Sequence, residues 1–438
     1  MDVYCLKPDE LPDLTIERLG PARVDSPLIP RGYRFIEDDE RVLVYAHSES
    51  LKAFPNPAQM PMFERAGPRR KIFFDPAKLN CGIVTCGGLC PGLNDVIRTI
   101  TLSLVGQYGV NNVFGFRYGY AGLSSKAPKP PLLLTPDLVG DIHLKGGDIL
   151  SSSRGPQDID EMVDTLVRME IGALFTLGGD GTLHGSRQLA AAIKTRGLEI
   201  SVIGVPKTID NDISGIEQSF GFSTAVEATR SAICSAHEEA KGAWNGVGLV
   251  KLMGRDSGFI AAYATLANSD VNFCLIPEVP LVLEGEDGFL RALERRLDAK
   301  HHAVIVVAEG VGSDLTQKEG VAKTDASGNI LRSDIGLLLK DRIIAHFKER
   351  AKPLAMKYID PSYMIRSLPA DSNDSAFCLM LGQNAVHAAL SGRTDMVVGY
   401  WNQHFVHVPT ELTVLKRKKI DPDGSLWQTV LETTGQAP

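Results

Sequence analysis

The chain has 438 residues, 44% hydrophobic and 23% charged, which suits a folded protein with room for two or three cores. Its 46 Lys and Arg against 53 Asp and Glu leave a net charge of −7, which excludes a surface built as a whole to hold nucleic acid. Met1-Asp2-Val3-Tyr4 lacks the basic and apolar parts of a secretory signal, and no apolar run nears the roughly 20 residues that span a bilayer, so a cytoplasmic location without a membrane partner is expected.

Residues 1 to about 70 carry many prolines, among them Pro8, Pro12, Pro21, Pro27, Pro55 and Pro68, and have no sustained period. They are expected to form an extended arm with short strands. From Asn80 the pattern changes: Cys81 to Thr85 predicts a buried strand, Gly87-Gly88-Leu89-Cys90-Pro91-Gly92 a loop, and Val96, Ile97, Ile100, Leu104 and Val105 one face of a helix. Strand, glycine loop and helix make a phosphate cradle, but Leu93-Asn94 stand where a P-loop needs Lys and Ser or Thr. Of the seven cysteines, Cys81, Cys86 and Cys90 share this segment; no second ligand pair lies at zinc spacing, so small reduced core residues are expected. A polar loop, Gly146 to Arg154, precedes a helix bearing Ile159, Met162, Val163, Leu166 and Val167.

The stretch from Ile171 to Asp212 organises the rest. It predicts a strand through Ala173, Leu174 and Phe175, the loop Gly178-Gly179-Asp180-Gly181-Thr182, a helix, a strand from Val202 to Val205, and then Pro206-Lys207-Thr208-Ile209-Asp210-Asn211-Asp212. In such a βαβ unit both loops leave the sheet at the same edge. Bare glycine amides invite an anion, and Asp180 can hold a divalent cation against its charge. Asp180, Asp210 and Asp212 would repel one another unless a metal or positive groups sit between them. Magnesium-assisted phosphoryl transfer uses that arrangement.

Beyond Phe222 helices and strands alternate again, so a second α/β domain starts near residue 222. Met253-Gly254-Arg255 ends one of its strands, Ala308-Glu309-Gly310 another, and Gly312 to Ser333 is polar enough for a surface loop. Lys357 to Arg366 could clasp a sugar phosphate or form a solvated loop, and Lys416-Arg417-Lys418-Lys419 is expected on a solvated face.

Taken together, the glycine-aspartate loop, the Pro206 to Asp212 loop and Met253-Gly254-Arg255, in that order, resemble the 6-phosphofructokinases over about residues 78 to 410. The arm, Gly88 to Gly92 and Tyr363-Met364-Ile365-Arg366 resemble the family's long ATP-using branch, found in trypanosomatids, other protists, plants and some bacteria. The resemblance implies two Rossmann-like α/β domains with the active site in a cleft. The two are an ATP-binding domain at 76–221 and a fructose 6-phosphate-binding domain at 222–369, preceded by an N-terminal extension at 1–75 and followed by a shared C-terminal segment at 370–438. It also implies transfer of the γ-phosphoryl group of ATP to the 1-hydroxyl of fructose 6-phosphate, with Mg2+, in a homo-oligomer expected to be a tetramer.

By the same resemblance Asp210 is the general base, beside Thr208 and Ile209, and Asp180 is the magnesium ligand. Gly87, Arg154, Gly155, Gly179, Asp180, Gly181 and Thr182 match nucleotide positions, and Arg154 would stabilise the moving phosphoryl group. Met253, Gly254, Arg255, Glu309, Lys357, Tyr363, Met364, Ile365 and Arg366 match the sugar-phosphate site, Arg255 also being catalytic; the cation matching Lys357 comes from a neighbouring subunit in the family. Gly181 and Lys207 bear on the donor. Members that use pyrophosphate have aspartate at the first and lysine at the second, and glycine at 181 leaves room for the α-phosphate of ATP. The alternatives are a pyrophosphate-dependent enzyme, a catalytically silent sugar-phosphate-binding subunit, and a lipid or dinucleotide kinase. The kinases lack the Pro206 to Asp212 loop, and a silent subunit would be expected to have lost Asp180, Asp210 or Arg154.

Overall fold

Runs such as Cys81 to Thr85 and Ala173 to Leu177, apolar without alternation, make strands only where both faces of a sheet are covered, and they form the middle of one here. The computed structural model describes residues 11–48, 52, 54, 56, 59–312 and 334–437, so most of the expected Gly312 to Ser333 loop lies outside the described residues. In chain order the first strands are β1 (Glu17–Arg18), β2 (Val24–Asp25), β3 (Arg41–Leu43), β4 (Met62–Arg65), β5 (Lys71–Ile72), β6 (Asn80–Thr85), β7 (Asn112–Phe116) and β8 (Leu132–Leu133). There follow β9 (Ile171–Gly178), β10 (Ser201–Pro206), β11 (Gly246–Leu252), β12 (Phe273–Leu275), β13 (His302–Ala308), β14 (Ala355–Ile359), β15 (Arg393–Thr394), β16 (Met396–Trp401) and β17 (His404–Pro409). The helices used below are α1 (Leu93–Leu102), α2 (Ile159–Arg168), α3 (Asp180–Thr195), α4 (Phe222–Lys241), α5 (Phe259–Ala267), α6 (Phe289–Lys300), α7 (Ile335–Glu349), α8 (Ser362–Arg366), α9 (Ser372–Leu390), α10 (Thr410–Leu415) and α11 (Ser425–Thr434).

Two α/β sheets result. The larger has nine strands in the order β3-β4-β17-β16-β10-β9-β6-β7-β8, with its five central strands, β16 to β7, parallel. The smaller, β12-β13-β11-β14, is parallel throughout. Helix α9 packs on α1 and crosses beneath β10, while α4 lies on β11 and α11 on α5. The C-terminal stretch therefore serves both sheets.

The arm packs on its own chain. β3 and β4 extend the large sheet past β17, and β1 pairs with β15. What holds this edge is a buried charge network. Arg393, 1% exposed, donates to Glu64, to Ser391 Oγ at 2.6 Å and to Asp38 Oδ1 at 2.8 Å, and Arg69 Nη2 donates to Glu64 Oε1 at 3.1 Å. Burial alone would raise the Glu64 carboxyl midpoint, but His407 and Arg393 override it and hold the group well below the usual carboxylate range.

Cys81, Cys86, Cys90, Cys274 and Cys378 are buried free thiols, whereas Cys234 is exposed. Two expectations need correction. Lys357 to Arg366 is not a loop: Lys357, Tyr358 and Ile359 finish β14 in register with Gly248, Leu249 and Val250 of β11, and Ser362 to Arg366 form α8. The Lys416 to Lys419 run is not a solvated face, because Lys418 is buried, with Nζ donating to Glu217 O at 2.9 Å, and Arg417 points into the cleft.

Candidate active site

β6, β9 and β10 are parallel neighbours, and Thr85 stands level with Leu177 and Gly178 with Pro206. Their following loops must therefore leave at one edge. There they line a cavity of about 490 Å³ with Arg154, Gly155, Arg255, Arg366 and Arg417 from other segments. Gly87, Gly179, Asp180, Gly181, Thr182, Lys207, Thr208, Ile209, Asp210 and Asp212 all reach it, so Asp180 and Asp210 share one space.

On one side Gly179 opens α3 and Asp180 is its first residue, so the amides of Asp180 and Gly181 stand at the cavity without intrahelical partners, while Thr182 N donates to Gly179 O at 2.9 Å. A Cβ on Gly181 would meet nothing within 4 Å, so any penalty for a larger residue here must come from a bound molecule. Gly87 is different: its φ of 89° is left-handed and a Cβ would lie 3.0 Å from Lys207 Nζ. Lys207 is buried and donates to Gly88 O at 2.7 Å, which joins the two loops, and burial lowers its ammonium midpoint. The loop carrying Arg154 is braced from behind. Asn94 accepts from Ile149 N at 3.1 Å and donates to Lys145 O at 2.9 Å, while Thr85 Oγ1 donates to Asp148 at 2.7 Å. Asn94, where a P-loop would carry a serine or threonine, is thus a loop strut.

The second wall is the Thr208 to Asp212 loop. Asn211 takes a left-handed φ of 53°, tolerated because its side chain accepts from Ser219 N at 3.0 Å and donates to Glu217 O at 3.1 Å. Thr208 Oγ1 donates to Asp212 Oδ1 at 2.6 Å and accepts from Asp210 N at 3.2 Å. Asp210 Oδ2 accepts only a long bond, 3.4 Å, from Arg255 N, and buried Oδ1 has no hydrogen-bond partner. Burial, then the charges of Asp212 and Glu309, push the Asp210 carboxyl from 3.8 up to about 7, against Arg366 and the Arg255 amide. A carboxylate made basic in this way is suited to take a proton near neutral pH.

Arg417 and Asp256 escaped the reading of the sequence. Arg417 Nη1 lies 2.5 Å from Asp212 Oδ2, Nη2 3.5 Å from Asp180 Oδ2 and Nε 3.5 Å from Asp256 Oδ2. The demand for positive charge among three carboxylates was the available signal, and a basic run 205 residues after Asp212 supplies it.

Not every expected residue meets the cavity. Met253 and Ile365 are buried in the core, and Gly254 O accepts from Gly310 N at 3.0 Å to join the ends of β11 and β13. Glu309 stands 3.9 Å from Arg366, just behind the lining. Lys357 Nζ pairs with Glu239 at 3.2 Å on the surface, and Tyr363 and Met364 are 86% and 66% exposed. Those three do not line this chain's own cavity.

Among the described residues no three His, Cys, Asp or Glu side chains are gathered to hold a metal by themselves. Magnesium on a polyphosphate takes most of its ligands from phosphate and water and asks one or two carboxylates of the protein. Asp180, 34% exposed at the cavity wall, fits that role.

Parallel strands ending at such a cleft define a phosphate-handling α/β enzyme architecture. A family model described as Phosphofructokinase matches residues 80–389, and the chain belongs to that family. It is 46% identical to an ATP-dependent 6-phosphofructokinase of Borreliella burgdorferi, over 99% of each chain. It is 49% identical to another from Amycolatopsis methanolica, covering 97% of this chain and 95% of that one. The fold matches that of a pyrophosphate-dependent phosphofructokinase from Marinobacter aquaeolei with a TM-score of 0.66 at 18% identity, covering 82% of this chain and 91% of the other.

Proposed function

We propose that the chain is an ATP-dependent 6-phosphofructokinase, moving the γ-phosphoryl group of ATP to the 1-hydroxyl of fructose 6-phosphate. The observation that carries this reading is the shared cavity of Asp180 and Asp210, the second half-buried with its buried Oδ1 unpartnered. Asp210 takes the hydroxyl proton, and its position is held by the Arg255 amide and by Thr208. The amides of the first turn of α3 bind phosphate oxygens, and Arg154 faces the charge that spreads over the transferring group. Magnesium, held through Asp180, would neutralise polyphosphate charge. Arg255 and Arg366 supply cations for the sugar phosphate.

ATP rather than pyrophosphate is supported by Gly181, where the space beside the first turn of α3 is open. Domain boundaries at 76–221 and 222–369, with 370–438 shared, are supported by the division of strands between the two sheets. A homotetramer is supported by Lys357, exposed and outside the lining of its own cavity, which suits a cation lent to a neighbour. One coupled assay offering ATP or pyrophosphate with fructose 6-phosphate tests the reading. Turnover with neither donor would overturn it, and turnover with pyrophosphate alone would overturn the donor.

A further inference from the structure

Arg417 is the one cation within 4.0 Å of carboxylates from three different loops of the cleft among the described ion pairs. Asp180 follows β9, Asp212 follows β10, and Asp256 follows β11 of the other sheet. The backbone fixes where the side chain starts. Arg417 forms an antiparallel bridge with Ile213, and Lys418 N donates to Asp212 O at 2.8 Å. The next side chain is an anchor, since buried Lys418 donates to Ile216 O at 3.3 Å and Glu217 O at 2.9 Å and lies 5.1 Å from the Phe259 ring centre. These contacts do not use the guanidinium, so a substitution at 417 leaves the segment seated.

From Arg417 a chain of contacts runs to Asp210. The guanidinium holds Asp212 Oδ2, Asp212 Oδ1 accepts from Thr208 Oγ1 at 2.6 Å, and that hydroxyl oxygen accepts from Asp210 N at 3.2 Å. Without the cation, Asp212 would stand 4% exposed and unpaired beside Asp210, and would relieve its charge by binding a proton or by turning away and releasing Thr208. We infer that Arg417 is a positioning residue: it is the resident counter-cation of the acidic loops, and through Asp212 and Thr208 it holds the Asp210 loop in place. The inference rests on the phosphotransfer reading for its kinetic consequences, whereas its electrostatic consequence is independent of that reading. A guanidinium near Asp180 and Asp212 repels a divalent cation, so it keeps the nucleotide-free cleft from trapping one.

The test compares wild type with R417M, R417K, D212N and the R417M/D212N pair, all in the full-length protein. Loss of the loop's register should lower kcat of R417M by about 10- to 100-fold with the KM for the donor changed much less, since a misplacement of about 1 Å is worth about 100-fold. R417K, which keeps charge but not the three-way span, should recover part of the loss. Because both residues act through one contact, the double variant should be no slower than the slower single variant, within about twofold. Mn2+ titrated into the nucleotide-free proteins and followed by electron paramagnetic resonance should bind R417M about tenfold more tightly than wild type. Wild type that phosphorylates the sugar beside R417M of equal kcat would overturn the role of Arg417 alone, as would unchanged Mn2+ affinity or fully additive effects in the cycle. Wild type without phosphotransfer would overturn the functional reading instead, and the Mn2+ comparison would still decide the counter-cation role.

Discussion

Replacing Asp210 by Asn should slow turnover sharply and make the fold more stable, and the gain should depend on pH. Asp210 holds its proton more tightly in the folded chain, with a midpoint of about 7 against 3.8, so what it contributes to stability is greatest in acid and is lost as pH rises through about 7. By pH 8 the folded wild type carries a buried charge that costs on the order of 4 kcal/mol at 1.36 kcal/mol per tenfold in proton affinity. Asn has no such charge. The variant's advantage in thermal or urea unfolding should therefore be close to nil near pH 4, grow through the interval up to about 7, and level off above it. Turnover should fall by about 10²- to 10⁴-fold, as for loss of a general base. In wild type kcat/KM should climb with pH through about 7, its midpoint set by the same group. A variant advantage that is equal at pH 4 and pH 8, or a variant less stable at pH 8, would refute the account of Asp210 as a charge held in the cleft against its own solvation.

Gly181→Asp should leave the melting temperature nearly unchanged, since its Cβ enters empty space, while raising the KM for ATP by about 100-fold through two negative charges about 5 Å apart; equal ATP kinetics would remove the donor argument. Arg393→Met should destabilise the chain by about 2 to 3 kcal/mol, because buried Glu64 loses one charged donor while Arg69 still holds it, and urea titration should show it. Lys207→Met should weaken binding of either phosphoryl donor, measured by calorimetry, because it unties the Gly88 loop from the Pro206 to Asp212 loop.

Much of this site was legible in the sequence because strand, glycine turn and helix carry strong local signals. Asp180 and Asp210 sit at the ends of adjoining parallel strands, and parallel topology alone brings such ends together. The core strands were legible too, since Val202 to Val205 has no polar residue to suggest another structure. What was lost depended on contacts distant along the chain. Arg417 looked like a surface charge because its partners, Asp180, Asp212 and Asp256, lie at least 161 residues away in the sequence. Lys357 to Ile359 looked like a loop because β14 is an edge strand, whose polar residues tell little about pairing with β11. The arm's pairing was likewise invisible: β3 and β4 are three and four residues long and take their meaning from β17.

The placement of Arg417 has a bearing on how the protein comes into being. A chain leaving the ribosome exposes the glycine-aspartate loop, the Asp210 loop and both arm strands long before residue 417 and the strand at His404–Pro409 have emerged. Until then the acidic loops have no guanidinium to gather them, and β4 has no neighbour on one side. Nascent intermediates should thus hold a half-made cleft in which Asp180 and Asp212 lack the cation they share, and premature termination upstream of residue 417 should yield chains that bind divalent ions more readily than the full chain without turning over substrate.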